Sequence, residues 1–429
     1  MSLIIMEKKN KRKILHVLSQ KPDFTGSATF LQMLIKEGKI FGHEQFVVYG
    51  IPLDEVGRYQ LNLEKENHFP VYFESECLPF PVPGMSDLEP YKSTVYSKMT
   101  PEMIDSYFFI FKNHLSKIIS KVKPDVIWSH HLWLVSSMLG ELNTNIPLLT
   151  FCHGTCLRQQ NLAPKFKQYV VHNCRRIDKI LVATKSQQIE VKRLFDIDNS
   201  KIEIIGGAIN QEAFRITNSK QPNLNDGVRI TYVGKICEYK GVGHLITVSR
   251  TLLDKKYQFK LFLVGEGIGI EADKIRRTAT SLGSNVEFTG YISQKKLIEI
   301  LNDTHIFVFP SFFEGIGLVV LEALACGCLV VVNEYENLLD FIPENAIKDG
   351  IVKTVKMPRM KSIDCPMDSE ISEYLERLMN AIISQIESPN IYDYNKRIEA
   401  NSLVHKWTWE SLFTRVNMIS EKSISDKCN

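Results

Sequence analysis

Two glutamates eight residues apart, Glu314 and Glu322, stand in the stretch "FFEGIGLVVLEALACGC" (312–328). The first lies in a turn loosened by Gly315 and Gly317, the second inside the apolar run that follows. The pattern reads as strand, turn, helix: a strand ending near Pro310, then a helix over 318–325 stopped by Gly327. A helix N-terminus offers unpaired amides and the positive end of its dipole. An anion therefore fits against Ile316, Gly317 and Leu318, with Glu314 at its flank. Eight residues of helix would separate the two carboxylates by roughly 12 Å. That suits one carboxylate at each end of an extended ligand better than a catalytic pair sharing a proton. A helical carboxylate can accept two hydroxyl hydrogen bonds, which matches a ribose diol. Taken singly, each glutamate has a plainer reading, as a solvated turn residue and an exposed helix position.

The elements that must position these groups are legible along the chain. Apolar runs such as "KILHVLS", "QFVVYGI", "PVYF", "DVIWSH", "PLLTFCHG" and "DKILVAT" alternate with helical patterns in the first half. "RITYVGK", "FKLFLVGEG", "VEFTGY", "HIFVFPS" and "CLVVVNE" do so in the second. Such runs imply parallel sheets covered on both faces, hence α/β domains of the doubly wound, Rossmann-like kind with ligands beyond the carboxyl ends of the strands. The polar stretch "RITNSKQPNLNDG" (215–227) breaks the series and is expected to be a linker. The organisation expected is therefore a first domain over 1–214, a second over 228–400, and a C-terminal helix within 401–429 that packs back on the first or completes the second core. Five prolines between residues 77 and 103 mark an extended excursion, read equally as a binding loop or a plain surface loop.

Composition narrows the partners. The chain has 429 residues, 44% apolar and 24% charged, with 52 basic and 49 acidic side chains giving a net charge of +3. That balance gives no bulk-charge argument for nucleic acid or membrane. Nine scattered cysteines read as reduced thiols of a cytoplasmic protein. The basic segment 158–176 would allow weak peripheral contact with anionic lipid, although a solvated helix face is the favoured reading. "VGEGIG" (264–269) breaks the dinucleotide-binding glycine frame. Cys152, His153 and Cys156 fall short of a four-ligand zinc pattern, so neither a metal nor another cofactor is expected.

The spacing of the two glutamates within "EGIGLVVLEALACG" resembles the signature of the retaining glycosyltransferases of family 4, which have the GT-B fold. Other stretches fall in that family's order over most of the chain: "PDFTGSATFLQMLIKEGKIFGHE", "PDVIWSHH", "FCHGT", "IEIIGGAINQEAF", "YVGKICEYKG", "LVGEG" and "VEFTGYIS". The resemblance implies two Rossmann-like domains facing each other across a cleft, acceptor side first and donor side second. It implies a nucleotide-diphosphate sugar as donor and fixed cations in place of a metal at the leaving diphosphate. Lys235 and Lys240 match the family's basic residues there, with Lys235 where Arg is frequent. Gly26 and Ser27 match the first loop, where amides reach the same diphosphate; Ser27 also reads as the N-cap of the helix that follows. By the same resemblance His153 approaches the sugar and the acceptor, Glu314 stabilises the transferred sugar, Glu322 holds the ribose, and Tyr291 borders the nucleobase. His130 and His131 are read as structural first and acceptor contacts second. "NEYENLLDFIPEN" and "GGAIN" depart from the family pattern. Nucleobase, sugar, acceptor and oligomeric state stay open, as do two other classes: a nucleotide-sugar epimerase of the same architecture and a non-catalytic nucleotide-sugar-binding relative.

Overall fold

The computed structural model describes residues 11–428 apart from 24, 60, 88, 90, 218–226 and 363–364. Most of the expected linker, 218–226, thus lies outside the described residues. The chain divides into two compact units, Met1–Gly206 with Trp409–Asn429, and Gly207–Thr408.

The first unit runs β1 (Lys13–Leu18), α1 (Gly26–Ile40), β2 (Glu44–Pro52), β3 (His68–Phe73), β4 (Pro83–Gly84), β5 (Thr94–Val95), α2 (Pro101–Val122), β6 (Val126–His130), α3 (Leu134–Leu142), β7 (Leu148–Phe151), α4 (Thr155–Leu162), α5 (Lys167–Cys174), β8 (Lys179–Val182), α6 (Lys185–Phe195) and β9 (Ile202–Ile204). Seven strands form one parallel sheet in the order β3-β2-β1-β6-β7-β8-β9. Central strands such as "VIWSH" are buried at every position, as a sheet covered on both faces requires. The C-terminal helix Trp409–Cys428 belongs to this unit. It buries Leu412, Phe413 and Val416, packs the Phe413 ring against Phe41 and Trp128, and takes the Trp128 indole N–H on Ser420 Oγ at 3.0 Å.

The Pro-rich excursion is a packed element rather than a loose loop. It buries Leu78, Phe80, Val82, Met85, Tyr96 and Met99, pairs β4 with β5, and leads into α2, capped by Thr100 with proline at the first turn.

The second unit runs β10 (Val228–Val233), α7 (Val242–Asp254), β11 (Phe259–Val264), α8 (Ile270–Ala279), β12 (Val286–Gly290), α9 (Gln294–Asn302), β13 (Ile306–Phe309), α10 (Leu318–Ala325), β14 (Leu329–Asn333), α11 (Glu336–Leu339), α12 (Glu344–Lys348), β15 (Val352–Val355), a small antiparallel pair of β16 (Met360–Ser362) and β17 (Cys365–Pro366), α13 (Ile371–Ile386) and α14 (Tyr394–Ser402). Its six-stranded parallel sheet is ordered β12-β11-β10-β13-β14-β15. The connections after β10, β11, β12 and β13 all leave the carboxyl edge of this sheet, the edge on which open α/β sheets bind ligands. Among the described residues no helix is long and apolar enough to cross a membrane, and no cysteine is in a disulfide.

Candidate functional site

In the second unit the site is built around the end of β13. Asn333 Nδ2, at the end of β14, donates to the carbonyls of Pro310 (2.9 Å) and Ser311 (3.0 Å), and Tyr374 donates its hydroxyl to Asn333 Oδ1 (2.9 Å). These bonds fix the chain where it leaves the sheet, and the Ser311 hydroxyl donates to Phe313 O at 3.0 Å. Gly317, at φ +77°, opens α10 with no side-chain cap, so the first-turn amides are not claimed by a capping side chain.

Lys240 enters from the β10–α7 connection, where Glu238–Lys240 form a short 3₁₀ turn. The turn passes so close to β13 that a Cβ on Gly241, itself at φ +70°, would stand 2.1 Å from the Pro310 carbonyl oxygen. Only glycine fits there. Lys240 Nζ donates to Glu314 Oε1 and, at 3.4 Å, to Phe313 O. The pair is largely withdrawn from water, with 13% and 16% of the two side chains exposed. Two residues expected on separate grounds therefore form one ion pair beside the N-terminus of α10.

Glu322 sits one turn into α10, half-buried, and its carboxylate has no hydrogen bond or ion pair among the described residues. Desolvation alone pushes its carboxyl up to about 8. Tyr335, in the segment that departs from the family pattern, is buried near Glu314. Its hydroxyl is raised above the usual phenol range by desolvation first and by the Glu314 charge second.

Lys235 lies on the same carboxyl edge, exposed at the end of β10, and its carbonyl accepts from the Tyr232 hydroxyl at 2.8 Å. Tyr291 follows β12 with an exposed ring, and its backbone N–H donates to Glu266 Oε1 at 3.3 Å. Beside Glu266, Ile268 and Ile270 stand 88% and 86% exposed. The exposure of these isoleucines was not read from the sequence. Their signal was "EGIGI", isoleucines separated by glycines where a buried strand would have none.

The first unit gathers histidines at the ends of β6 and β7. His153 Nε2 lies 3.4 Å from His130 Nδ1 with the rings stacked at 5.6 Å, and His131 meets His153 edge-on at 4.9 Å. His131 is held in the left-handed region at φ +71°, an uncommon conformation for a non-glycine residue. Burial, then the neighbouring His131, lowers the His153 pKa well below its ordinary value, so the ring is neutral at physiological pH. Phe30 on α1 packs edge-on to His153 at 5.0 Å, which brings that helix and its first turn to the same edge. In that turn the N-cap is Thr25, which accepts from Ala28 N, and not Ser27. Ser27 instead donates to Gln20 Oε1 at 3.3 Å. A Cβ on Gly26 would meet nothing within 4 Å, so this turn is open. Gln20 Nε2 donates onward to Glu89 (3.1 Å) and Tyr91 (3.3 Å), which pins the Pro-rich excursion to the same turn. Among the described residues no three His, Cys, Asp or Glu side chains converge as a metal-ligating group.

Residues 79–213 match the profile described as Glycosyltransferase Family 4, and residues 214–361 that described as Glycosyl transferases group 1. The chain belongs to the family 4, group 1 glycosyltransferases. Curated relatives that it resembles include an uncharacterized glycosyltransferase of Methanocaldococcus jannaschii, 28% identical over 207 residues (46% of this chain, 51% of that one). Another is the capsular polysaccharide biosynthesis glycosyltransferase CapM of Staphylococcus aureus, 27% identical over 237 residues (52% and 57%). The match thus spans about half the length of these relatives. Solved structures match along nearly the whole chain. A glycosyltransferase from Rickettsia africae matches with TM-score 0.67 at 16% identity, covering 97% of this chain and 99% of that one. Sucrose-phosphate synthase from Thermosynechococcus elongatus matches with TM-score 0.70 at 16% identity, covering 97% and 100%. The architecture is that of the GT-B glycosyltransferases, two α/β domains with parallel sheets.

Proposed function

We propose that this chain is a retaining glycosyltransferase that moves a sugar from a nucleotide-diphosphate sugar to a hydroxyl acceptor without a metal ion. The observation that carries the reading is the Lys240–Glu314 ion pair beside the uncapped N-terminus of α10, with Glu322 one turn along the same helix. A diphosphate arriving at the helix amides competes with Glu314 for the Lys240 ammonium, while Glu322 takes the ribose hydroxyls. Once Lys240 turns to the phosphate, Glu314 is released to face the positive charge that develops on the sugar ring. The bond from the anomeric carbon to the phosphate oxygen breaks, and the acceptor oxygen forms its bond to that carbon on the same face. The acceptor proton passes to the departing phosphate oxygen. Lys235 and Lys240 with the helix amides neutralise that leaving group, the work a metal does elsewhere. Gly26 and Ser27 add amides to the diphosphate, Tyr291 borders the base, and neutral His153 hydrogen-bonds the sugar or acceptor.

The test is a thermal-shift screen of UDP-, GDP- and ADP-sugars on the full chain, because a ligand bound by the folded state raises the melting midpoint. One sugar nucleotide should raise it by several degrees, and turnover with it should survive a chelator and conserve the anomeric configuration by NMR. No shift with any of the three would overturn the reading; isomerisation of the donor alone would replace it with an epimerase.

His153→Ala should lower kcat by about 100-fold while changing donor affinity only a few-fold, since a hydrogen bond that strengthens at the reacting centre acts mainly on turnover. The reverse split, measured by initial rates beside calorimetry, would move His153 to ground-state binding.

A further inference from the structure

Beneath α10, on the side away from Glu314, an unusual set of buried groups meets around Arg397 of α14. Arg397 is only 8% exposed. Its Nη2 donates to the carbonyls of Cys326 (3.1 Å) and Asn302 (2.9 Å), while Asn401 Nδ2 donates to Ala325 O at 2.6 Å. Two side chains of α14 thus cap the C-terminus of the helix that carries Glu322, where a cation also complements the helix dipole. Gly327 is required by the same contact: it stands at φ +82°, and a Cβ there would lie 2.9 Å from Arg397 Cβ.

The rest of the guanidinium is unmatched. Among the described residues no carboxylate pairs with Arg397, and its Nε and Nη1 have no hydrogen-bond partner. His305, 4% exposed, adds a second unmatched donor. Its Nδ1 accepts from Arg229 N at 2.9 Å, so in the neutral ring the proton sits on Nε2, and among the described residues that buried N–H has no hydrogen-bond partner. Burial first, then Arg397 and Arg229, lowers the His305 pKa to about 4, which keeps the ring neutral at physiological pH. Arg397, His305, Gly327 and Tyr392 line a small cavity with about 10 Å³ open to a water-sized sphere, room for about one such particle.

Every unmatched side-chain atom on Arg397 and His305 is a donor, and one group carries a full positive charge. A buried cation without a counter-charge is costly, and buried N–H groups call for an acceptor. A water molecule supplies lone pairs but no charge. A phosphate or carboxylate exceeds the space. We propose that this cavity is a binding site for a single monovalent anion, a halide such as chloride, held by Arg397 and His305 at the foot of α10. The site is independent of the donor site and stabilises the second unit by completing the charge balance under the helix that carries Glu322.

Bromide is the probe. A crystal of the full chain soaked in sodium bromide should show an anomalous peak between Arg397 and His305. In solution, replacing gluconate by chloride at constant ionic strength should raise the melting midpoint saturably, by about 3 °C. Arg397→Met and His305→Phe should each abolish that saturable rise. A water without anomalous signal at this position in the bromide crystal would overturn the proposal. So would an unchanged chloride dependence in either variant that folds.

Discussion

Binding of a sugar nucleotide is expected to release about 0.9 proton per site at pH 7. The source is Glu322, whose carboxyl burial pushes up to about 8 and which no cation or donor among the described residues holds down. Most of it is therefore protonated in the free protein at neutral pH. A ribose diol donates two hydroxyl hydrogen bonds to the carboxylate and favours the charged form, so the bound pKa falls. Linkage then makes affinity rise with pH, about 50-fold between pH 6 and pH 8, with a plateau above. A sugar nucleotide suits the measurement because its doubly esterified diphosphate does not titrate in that range. Calorimetry in two buffers of different ionisation enthalpy reads the proton directly. Glu322→Gln should remove the release and weaken binding at pH 8 by about 10- to 100-fold, the value of hydrogen bonds to a charged acceptor. A pH-independent affinity would take the ribose away from Glu322. For the free protein the sign is opposite. With its folded pKa raised above the unfolded one, the carboxyl favours folding below about 4.5, and that contribution is lost as pH rises toward 8.

What made Glu322 legible in the sequence also shows where such legibility stops. Period and punctuation placed α10 over 318–325 because apolar residues continue to Ala325 and Gly327 ends them, and both features are local. The central strands were legible for the same reason, since "VIWSH", "IFVF" and "LVVVN" are buried throughout. The edge strands β9 and β15 escaped: at three and four residues, each interrupted by a charged residue, they lack the continuous apolar run. The division of the chain at Gly206 and again at Thr408 has no compositional mark comparable to the polar stretch at 215–227. Ser27 looked like a cap because it precedes an apolar helix, yet backbone geometry gives that place to Thr25 two residues earlier. The longest reaches were invisible. Arg397 meets Cys326 across 71 positions and Lys240 meets Glu314 across 74, and only the order of strands in the sheet makes either pair neighbours.

That last pair carries the second large effect. Lys240→Met should lower turnover by about 10²- to 10³-fold, the usual cost of removing one fixed donor from a developing negative charge. It should also destabilise the fold by about 2–3 kcal/mol, toward the low end for a broken buried pair because both side chains keep some contact with water. Much of that loss comes from Glu314, left withdrawn from solvent with its charge unmatched. Glu314→Gln should cost less stability, since the amide oxygen still accepts from Lys240, yet it removes the negative charge that faces the sugar and so lowers turnover as well. The double variant separates the two effects. With no lone charge remaining, its stability loss should be smaller than the sum of the single losses by about 1–2 kcal/mol, as expected for residues in contact. Its turnover should stay as low as that of the worse single variant. Additive stability losses would show that the two side chains do not act as a unit. Sugar-nucleotide affinity and turnover unchanged in Lys240→Met would leave the ammonium no phosphate to neutralise, and the reading of α10 as the diphosphate end of the donor site would fall with it.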